Sequence, residues 1–464
     1  MDEMEMEQLF EQIPELLKSK RYAQLRQLLD TLNPADIAEA AEDLLDEEKI
    51  TQEELPLLFR ILPKELAADT FIEMNPDMQE LLIRSFSDKE LEVVLDDMYL
   101  DDTVDIIEEM PANVVSRILK NVDSATRKNI NQILQYPEDS AGSIMTIEYI
   151  ELRKDLTVRE AFAHIRSAGV DKETIYTCYV TDHKTLIGTV SVRELLLADY
   201  DDKIEDIMEE NVISVYTTDD KEVVAQMFDK YDFTALPVVD KENRLVGIVT
   251  VDDAIDVITE EATEDIEKMA AIIPSEHPYL RSGVFEIFKQ RIPWLLLLMV
   301  SATFTGIIIT KFETALAAQV ALVGFIPMLM DTGGNSGSQA SVTVIRGLSM
   351  GDIEFGDIIE VIWKEIRIAV LCGVSLACVS FVKILVVDRL LLGNDAITIP
   401  VAATVCLSLV ITVMIAKCIG CTLPMFAKKL GFDPAVMASP LITTIVDALS
   451  LMVYMNFATM ILKL

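Results

Sequence analysis

Histidine and cysteine, the side chains that most often bind zinc and copper, are scarce in this 464-residue sequence. There are three histidines, none spaced like metal ligands, and six cysteines, of which Cys178 stands alone and the other five lie in apolar runs. We therefore expect no zinc or copper site, and any bound metal should be a hard ion held by oxygen. Without a disulfide framework, the soluble part is expected to be cytosolic.

The chain also lacks the motifs of phosphate chemistry and of secretion. It has no Walker-type phosphate loop and no hydrolytic triad, which argues against an ATP-driven pump and against an enzyme. Its first residues, MDEMEMEQLFEQ, are acidic and lack the basic region that opens a signal peptide. No cleaved leader is therefore expected.

Acidic residues outnumber basic ones only in the first 290 residues. That part holds 28 Lys and Arg against 66 Asp and Glu and carries the whole net charge of −38, whereas the remainder holds 11 of each. Such a surface repels nucleic acid and anionic lipid and attracts cations. Solubility alone is the alternative explanation of the acidity.

The second part of the chain is apolar enough to lie in a membrane. Hydrophobic residues make up 51% of the sequence, and the mean hydropathy is +0.32. Five apolar runs can each cross a hydrocarbon core of about 30 Å, at 294–310, 316–336, 368–387, 397–418 and 435–461. By the positive-inside rule, the basic residues near the span ends place the N-terminus in the cytoplasm and the C-terminus outside. These residues are Lys289, Arg291, Arg346, Lys364, Arg367, Lys428 and Lys429.

Two polar features interrupt the apolar runs. The stretch DTGGNSGSQ, 331–339, is unfavourable as ordinary membrane helix because each glycine costs about 1 kcal/mol relative to alanine. Asp447 lies near the middle of the last run, where an ionisable residue is costly unless it faces a bundle interior or water. Asp447 is therefore a candidate for an ion pathway, and a structural pair with Lys417 is the alternative.

A polar stripe precedes Asp447 on the same predicted helix. Its members are Ser439, Pro440, Thr443 and Thr444. Glycines beside it allow close backbone approach, and Asn335 and Gln339, four residues apart, can direct amide oxygens to the same side. The glycine run is thus predicted to form a thin, oxygen-rich wall beside an aqueous path. One carboxylate per chain in a symmetric pair suits hydrated Mg²⁺, which is usually held by one or two carboxylates.

Residues 143–257 contain two copies of one unit. Each copy reads as a short strand, an amphipathic helix and two further strands, with Gly188 or Gly247 in the last strand. The second copy contains FTALPVVDKENRLVGIVTVDDAI, and the pair resembles a tandem of CBS domains, which sense ligands and often bind adenine nucleotides. The resemblance implies candidate ATP contacts at Glu194, Thr250 and Asp253.

Residues 1–135 repeat a different unit, seen in NPADIAEAAEDL, LPKELAADTFIEM and LDDTVDIIEEM. Each begins with an N-cap residue or a proline and carries apolar residues at helical spacing. Short antiparallel helices stacked as a superhelix are therefore expected.

A dense acidic segment connects the CBS-like repeat to the membrane part. Like charges three or four residues apart destabilise an isolated helix by about 0.2–0.5 kcal/mol per pair, so Mg²⁺ bound between this segment and further acids is expected. A solvated linker face is the alternative. The acids of the segment are Asp252, Asp253, Asp256, Glu260, Glu261, Glu264 and Asp265. The further acids are Asp96, Asp97, Asp101, Asp102, Asp105 and Asp232.

Taken together, these motifs resemble the MgtE family of magnesium channels and transporters along nearly the whole chain. The resemblance rests on DTGGNSGSQAS, FDPAVMASPLITTIVDALSLMVY, the CBS pair and the acidic helix, in the family order. It implies a homodimer in the plasma membrane and a multidomain fold. The implied parts are an all-α superhelical N domain (1–135), an α/β CBS tandem (136–199 and 200–257), a long connecting plug helix (258–290) and an all-α five-helix transmembrane domain (291–464).

The resemblance also implies a self-gated Mg²⁺ pore. Cytosolic Mg²⁺ would bridge the acidic faces and hold the plug shut, and its loss would let like charges separate them. The implied pore residues are Asp447, Gly334, Asn335, Gly337, Gln339, Ser439 and Thr443. The implied regulatory ligands are Asp101, Asp102, Asp105, Asp232, Asp253, Asp256, Glu261, Glu264 and Asp265. A secondary transporter of another divalent metal such as Mn²⁺ or Co²⁺, and a membrane-tethered sensor without transport, are the alternatives.

Overall fold

The computed structural model describes residues 3–275, 279, 282–437 and 439–463, without the side chains of residues 3–10, 65, 171 and 439. The chain divides into two units, Met1–Ile258 and Thr259–Leu464. Among the described residues, the first unit begins with ten helices and continues with two small sheets and the helices that pack on them, and the second unit is built of helices.

The N-terminal part of the first unit is a stack of short helices. Their bounds are α1 (Glu3–Lys18), α2 (Tyr22–Leu29), α3 (Pro34–Asp46), α4 (Leu55–Ile61), α5 (Lys64–Ile72), α6 (Pro76–Ser85), α7 (Asp88–Leu95), α8 (Leu100–Glu109), α9 (Ala112–Asn121) and α10 (Ser124–Ile133). Helices two places apart pack together, α3 on α5, α5 on α7 and α7 on α9, around one continuous apolar core. Local sequence sets the helix starts: the Asn75 side chain accepts the N–H of Met78 at 3.0 Å, and Ser87 and Glu90 form a capping box. The predicted all-α domain is confirmed.

Each copy of the repeat forms a three-stranded sheet in which the first strand is parallel to the second and the second antiparallel to the third. The first copy contains β1 (Ile150–Arg153), α11 (Val158–Ala168), β2 (Thr177–Asp182), β3 (Thr185–Ser191) and α12 (Val192–Leu197). The second contains α13 (Ile204–Ile207), β4 (Val215–Tyr216), α14 (Lys221–Tyr231), β5 (Ala235–Val239) and β6 (Leu245–Thr250). The predicted α/β tandem is confirmed.

The two copies exchange the segments that precede them. Thr146, ahead of the first copy, pairs with Ile248 in β6, and Glu209, ahead of the second, pairs with Thr189 in β3. The repeated glycines make room for this exchange. A Cβ on Gly247 would lie 2.7 Å from the carbonyl oxygen of Thr146. Because the exchanged backbone cannot move aside, only glycine fits there.

Helix α15 (Val251–Met269) follows β6 directly, and its first residues belong to the first unit. The prediction of one connecting helix over 258–290 is wrong, because α15 ends at Met269. Ala271 then adopts a left-handed backbone (φ 56°), and Pro274, which has no N–H to donate, follows.

After the end of α15, the second unit contains five long helices and one short α-helix among the described residues: α16 (Val284–Lys311), α17 (Glu313–Ala318), α18 (Ile326–Ser349), α19 (Ile358–Lys383), α20 (Ile399–Lys429) and α21 (Ser439–Leu462). Helix α19 continues as a π-helix over Ile384–Leu391. Helix α18 packs against α20 and α21, and α19 packs against α20.

Four helical stretches of the described chain are long and apolar enough to cross a membrane: Val284–Lys311, Phe355–Leu391, Ile399–Lys429 and Pro434–Leu462. The second predicted span, 316–336, is not one continuous helix. Its helix breaks at Gln319 (φ −138°), winds as a 3₁₀ helix over Val320–Phe325 and resumes as α18, which continues to Ser349. The hydroxyl of Tyr454 on α21 donates to the carbonyl of Leu322 at 3.0 Å and so anchors the break.

Candidate functional site

In the first unit, the start of α8 carries acidic side chains that point into the protein. Asp101 is buried, with 5% of its surface exposed, and its Oδ1 accepts the N–H of Asp102 at 3.1 Å. Asp102 is half-buried, whereas Asp105, one turn further, is exposed. The first turn of a helix favours negative charge, because its free N–H groups point toward it.

Two glutamates of the first CBS copy complete this acidic site. Three carboxylate oxygens, one each from Asp101, Glu148 and Glu173, all lie within 4.8 Å of one another. Glu148 Oε2 accepts the N–H of Leu100 at 3.2 Å, which joins α8 to the segment after Thr146. Glu173 Oε2 is buried and has no hydrogen-bond partner among the described residues. We call Asp101, Asp102, Glu148, Glu173 and Asp253 the acid cluster.

Burial and mutual repulsion disfavour the charged forms of these groups. Burial, followed by the charge of Glu173, raises the pKa of Asp101. Burial, followed by the charge of Asp253, raises the pKa of Asp102 to about 7. Burial, followed by the charge of Asp102, raises the pKa of Glu173 to about 8, and burial raises the pKa of Asp253 to about 6. A divalent cation bound among these oxygens would stabilise the charged forms.

The candidate nucleotide contacts are used as helix caps. The Asp253 carboxylate accepts the hydroxyl of Thr250 at 2.5 Å and its N–H at 3.3 Å. Glu194 accepts the N–H and the hydroxyl of Ser191 at 2.7 and 2.9 Å in a capping box. ATP binding at Glu194, Thr250 and Asp253 stays a prediction.

The other predicted regulatory acids are not all brought to the acid cluster. Asp105 interacts with the charge of Asp253, and Asp256 lies one turn after Asp253 on α15. Asp232 is exposed and ends α14 with a left-handed backbone (φ 54°). Glu261, like the remaining two acids of the set, belongs to the second unit.

In the second unit, the end of α15 is tied down by polar contacts. Lys268 lies 2.7 Å from Glu264 and 2.7 Å from Asp433, and Asp265 accepts the hydroxyl of Ser349 at 3.3 Å. Burial, followed by the charge of Asp433, raises the pKa of Asp265. Lys268 and Asp433 were not predicted from the sequence, because their separation of 165 residues leaves no local signal.

The glycine run is regular α-helix, and its glycines serve helix packing. A Cβ on Gly333 would lie 2.8 Å from Thr412 Cγ2 on α20, and one on Gly334 would lie 2.8 Å from Thr443 Cγ2 on α21. A Cβ on Gly337 would lie 2.9 Å from Ile442 on α21. Close packing on two neighbouring helices therefore accounts for the glycines, and the thin wall beside an aqueous path stays a prediction.

The polar members of the run lie on the opposite side of α18. Asn335 and Gln339 are exposed, four residues apart, and the structure records no side-chain hydrogen bond for either among the described residues. Of the predicted pore residues, Gly334, Gly337 and Thr443 thus lie at the contact of α18 with α21, and the side chain of Ser439 lies outside the described residues.

Asp447 is half-buried on α21, and its buried Oδ1 has no hydrogen-bond partner in the described part of the chain. It does not pair with Lys417. That side chain lies instead 3.5 Å from Glu365 on α19, and both are buried. Glu365 is a membrane-level acid that the sequence analysis missed, because its partner is 52 residues away on another helix. Asp447 therefore remains an unpaired carboxylate in an apolar bundle, where it can bind a cation.

Three models of known protein families match parts of the chain. The family model described as MgtE, divalent cation transporter, matches residues 326–457, and that of the MgtE intracellular N domain matches 32–139. The CBS domain model matches 141–201 and 204–260.

Similar proteins include the magnesium transporter MgtE of Thermus thermophilus, 35% identical over 98% of this chain and 99% of the relative. The magnesium transporter MgtE of Bacillus subtilis is 32% identical over 98% of both chains. Among solved structures, the soluble part of a magnesium transporter is 33% identical with a TM-score of 0.50 and covers 55% of this chain and 99% of that one. The cytosolic domain of the Mg²⁺ channel MgtE in complex with ATP is 37% identical with a TM-score of 0.49, over 52% of this chain and 97% of that one.

Proposed function

Because this chain belongs to the MgtE family of magnesium transporters, we propose that it forms a Mg²⁺-conducting pore that imports Mg²⁺ and closes when cytosolic Mg²⁺ is high. The observation that carries the proposal is Asp447, a half-buried carboxylate with an unpartnered oxygen inside a bundle of membrane-length helices. Mg²⁺ keeps several of its waters and is held by one or two carboxylates, which this position can supply.

A homodimer completes the proposed pathway. The exposed face of α18 carries Asn335 and Gln339, and neither side chain would be stable against lipid tails. A second copy of the chain that faces this surface across an axis would enclose a polar path between two apolar shells. The positions of the basic residues support a cytoplasmic N-terminus and an outside C-terminus.

The acid cluster is the proposed sensor of cytosolic Mg²⁺. Its groups are buried or half-buried and repel one another, and Glu173 Oε2 has no hydrogen-bond partner among the described residues. Bound Mg²⁺ would therefore hold α8, the first CBS copy and the start of α15 together. When cytosolic Mg²⁺ falls, repulsion would loosen these contacts. Glu148 and Glu173 are added here to the regulatory ligands expected from the sequence.

The test is Mg²⁺ influx into proteoliposomes that contain the full chain, with internal Mg²⁺ held low and then high. Wild-type influx should fall as internal Mg²⁺ rises, and Asp447→Asn should abolish it. Exposed Asp395, in the turn before α20, gives the matched control Asp395→Asn, which should conduct normally. Influx that survives Asp447→Asn removes this carboxylate from the pathway, and no influx in the wild type favours a sensor without transport.

A second set of variants separates conduction from regulation. Glu148→Gln/Glu173→Gln should conduct at low internal Mg²⁺ and stay open at high internal Mg²⁺, because the cluster loses two charged ligands. Neutralising Asp253, Asp256, Glu261 and Asp265 together should have the same effect. Normal closure in both variants would contradict the proposed sensor. Parallel assays with Mn²⁺ and Co²⁺ measure the selectivity among divalent ions.

A further inference from the structure

A second carboxylate lies beside Asp447 on the neighbouring helix. Going from Gly337 to Gly333 along α18, the contacting residues of α21 advance from Ile442 to Val446, so the two helices run antiparallel. Gly334 faces Thr443, and one turn further in each direction brings Asp331 of α18 alongside Asp447 of α21. The two carboxylates are close enough for their charges to interact.

Asp331 shares the exposed side of α18 with the two polar side chains already described. It precedes Asn335 by four residues and Gln339 by eight, so the three lie on one stripe of the helix. The structure records no hydrogen bond or ion pair to the Asp331 carboxylate among the described residues.

The depth of Asp331 excludes a simple surface role. Helix α21 continues to Leu462, 15 residues beyond Asp447, which corresponds to about 22 Å of helix on that side. Asp331 is therefore at the level of the apolar bundle, where an unpaired carboxylate must face water or a cation. It is the sixth residue of α18, too far from the helix start to be explained as a capping residue.

We propose that Asp331 is a second ion-binding carboxylate of the permeation path, which holds a hydrated divalent cation together with Asp447. The inference rests on the proposed function and extends it to α18. Two carboxylates at one level suit an ion that keeps its inner waters, because they bind those waters and not the bare ion. Asn335 and Gln339 then provide neutral oxygens along the same stripe.

The experiment measures Mg²⁺ influx against external Mg²⁺, with internal Mg²⁺ low so that the proposed gate stays open. Asp331→Asn keeps the shape of the side chain and removes one charge, so the half-saturating external Mg²⁺ should rise roughly five- to tenfold. Asp331→Glu keeps the charge and should shift the half-saturating external Mg²⁺ much less. Asp395→Asn removes an exposed charge outside the stripe and should leave the curve unchanged.

Two results would overturn the inference. A wild-type curve for Asp331→Asn would exclude Asp331 from the ion-binding site. An equal shift for Asp395→Asn would show that surface charge in general attracts the ion. Because no hydrogen bond of Asp331 is lost, folding should be unaffected. Influx is normalised to the reconstituted protein that elutes as the native species. Comparison with Asp447→Asn keeps the two proposals distinct. Mg²⁺ influx that requires Asp447 but is unchanged in Asp331→Asn refutes only this inference. Influx that does not depend on Asp447 refutes both proposals.

Discussion

Among the glycines of the second unit, Gly420 on α20 leaves the least room for a Cβ, and replacing it by alanine should separate α18 from α20. A Cβ at this position would lie 2.2 Å from the carbonyl oxygen of Gly337, 3.0 Å from its carbonyl carbon and 3.2 Å from the Cβ of Ala340. A carbon and a carbonyl oxygen normally stay at least about 3.3 Å apart. Because the clash is with backbone, it can be relieved only if the helices move apart by about 1 Å.

The size of the effect follows from two opposing terms. Overpacking of this kind costs about 1–3 kcal/mol, and movement of a whole helix places Gly420→Ala at the upper end. Alanine recovers about 1 kcal/mol through its higher helix propensity. The net loss of about 1–2 kcal/mol should lower the midpoint of thermal unfolding by about 2–8 °C for a unit of this size. Mg²⁺ influx should fall as well, because α18 carries Asp331, Asn335 and Gln339.

Gly306 on α16 is the matched control, because it also lies inside a helix but nothing is within 4 Å of a Cβ built there. Gly306→Ala should leave the midpoint unchanged or raise it by the propensity gain. The assay is thermal unfolding of the full chain in detergent, followed by influx in proteoliposomes. If Gly420→Ala unfolds at or above the midpoint of Gly306→Ala, the close contact with Gly337 is not a determinant of the helix packing.

Two further predictions concern charge. Without divalent ions, the free energy of unfolding should fall as pH rises from about 4 to about 8, because the folded acid cluster keeps protons that the unfolded chain releases. Millimolar Mg²⁺ should raise the unfolding midpoint more at pH 8 than at pH 5. In the bundle, Lys417→Met should cost about 3–5 kcal/mol because it leaves the buried Glu365 charge unpaired, and Lys417→Met/Glu365→Gln should recover most of the loss.

A specific experimental result would contradict each of these two predictions. For the cluster, Glu148→Gln/Glu173→Gln should flatten the dependence on pH and on Mg²⁺, and an unchanged profile would show that other groups titrate. For the ion pair, Lys383 and Asp388, 2.8 Å apart and with Lys383 about half exposed, give the control Lys383→Met, which should cost at most about 1 kcal/mol. Equal losses at the two pairs would show that burial does not set the energy of the Lys417 pair.

The local patterns of the sequence predict most elements of this fold. Proline and N-cap residues mark the starts of the short helices, and the repeat of strand, helix and strands leads directly to the two sheets. The sequence shows Gly188 and Gly247 at matching positions of the two copies, but it does not show why glycine is needed there. Each faces a methionine-containing segment that arrives from outside its own copy, and a sequence pattern does not report an exchange between copies.

The candidate sites were predictable only where their residues are close in sequence. Asp101, Asp102 and Asp253 stand out as parts of acidic runs, whereas Glu148 and Glu173 are single acids in mixed surroundings that join the cluster only through the sheet and helix contacts. The glycine run was expected to be unfavourable as ordinary membrane helix, since glycine is a poor helix former. Its actual conformation is helical, because the packing gained at Thr412 and Thr443 outweighs the propensity cost.

The Lys417–Glu365 pair explains how an unpaired carboxylate can persist in a bundle that contains a buried base. Ala416, next to Lys417, and Val446, next to Asp447, belong to one buried apolar cluster, so the base and the proposed pore acid are carried by packed segments of α20 and α21. A free Lys417 would repel a cation at Asp447 or neutralise the carboxylate itself. Glu365, 3.5 Å from Lys417, cancels that charge within the bundle. Among the described residues, Asp447 and Asp331 are then left with no base paired to them, which is the electrostatic condition for attracting a hydrated divalent cation.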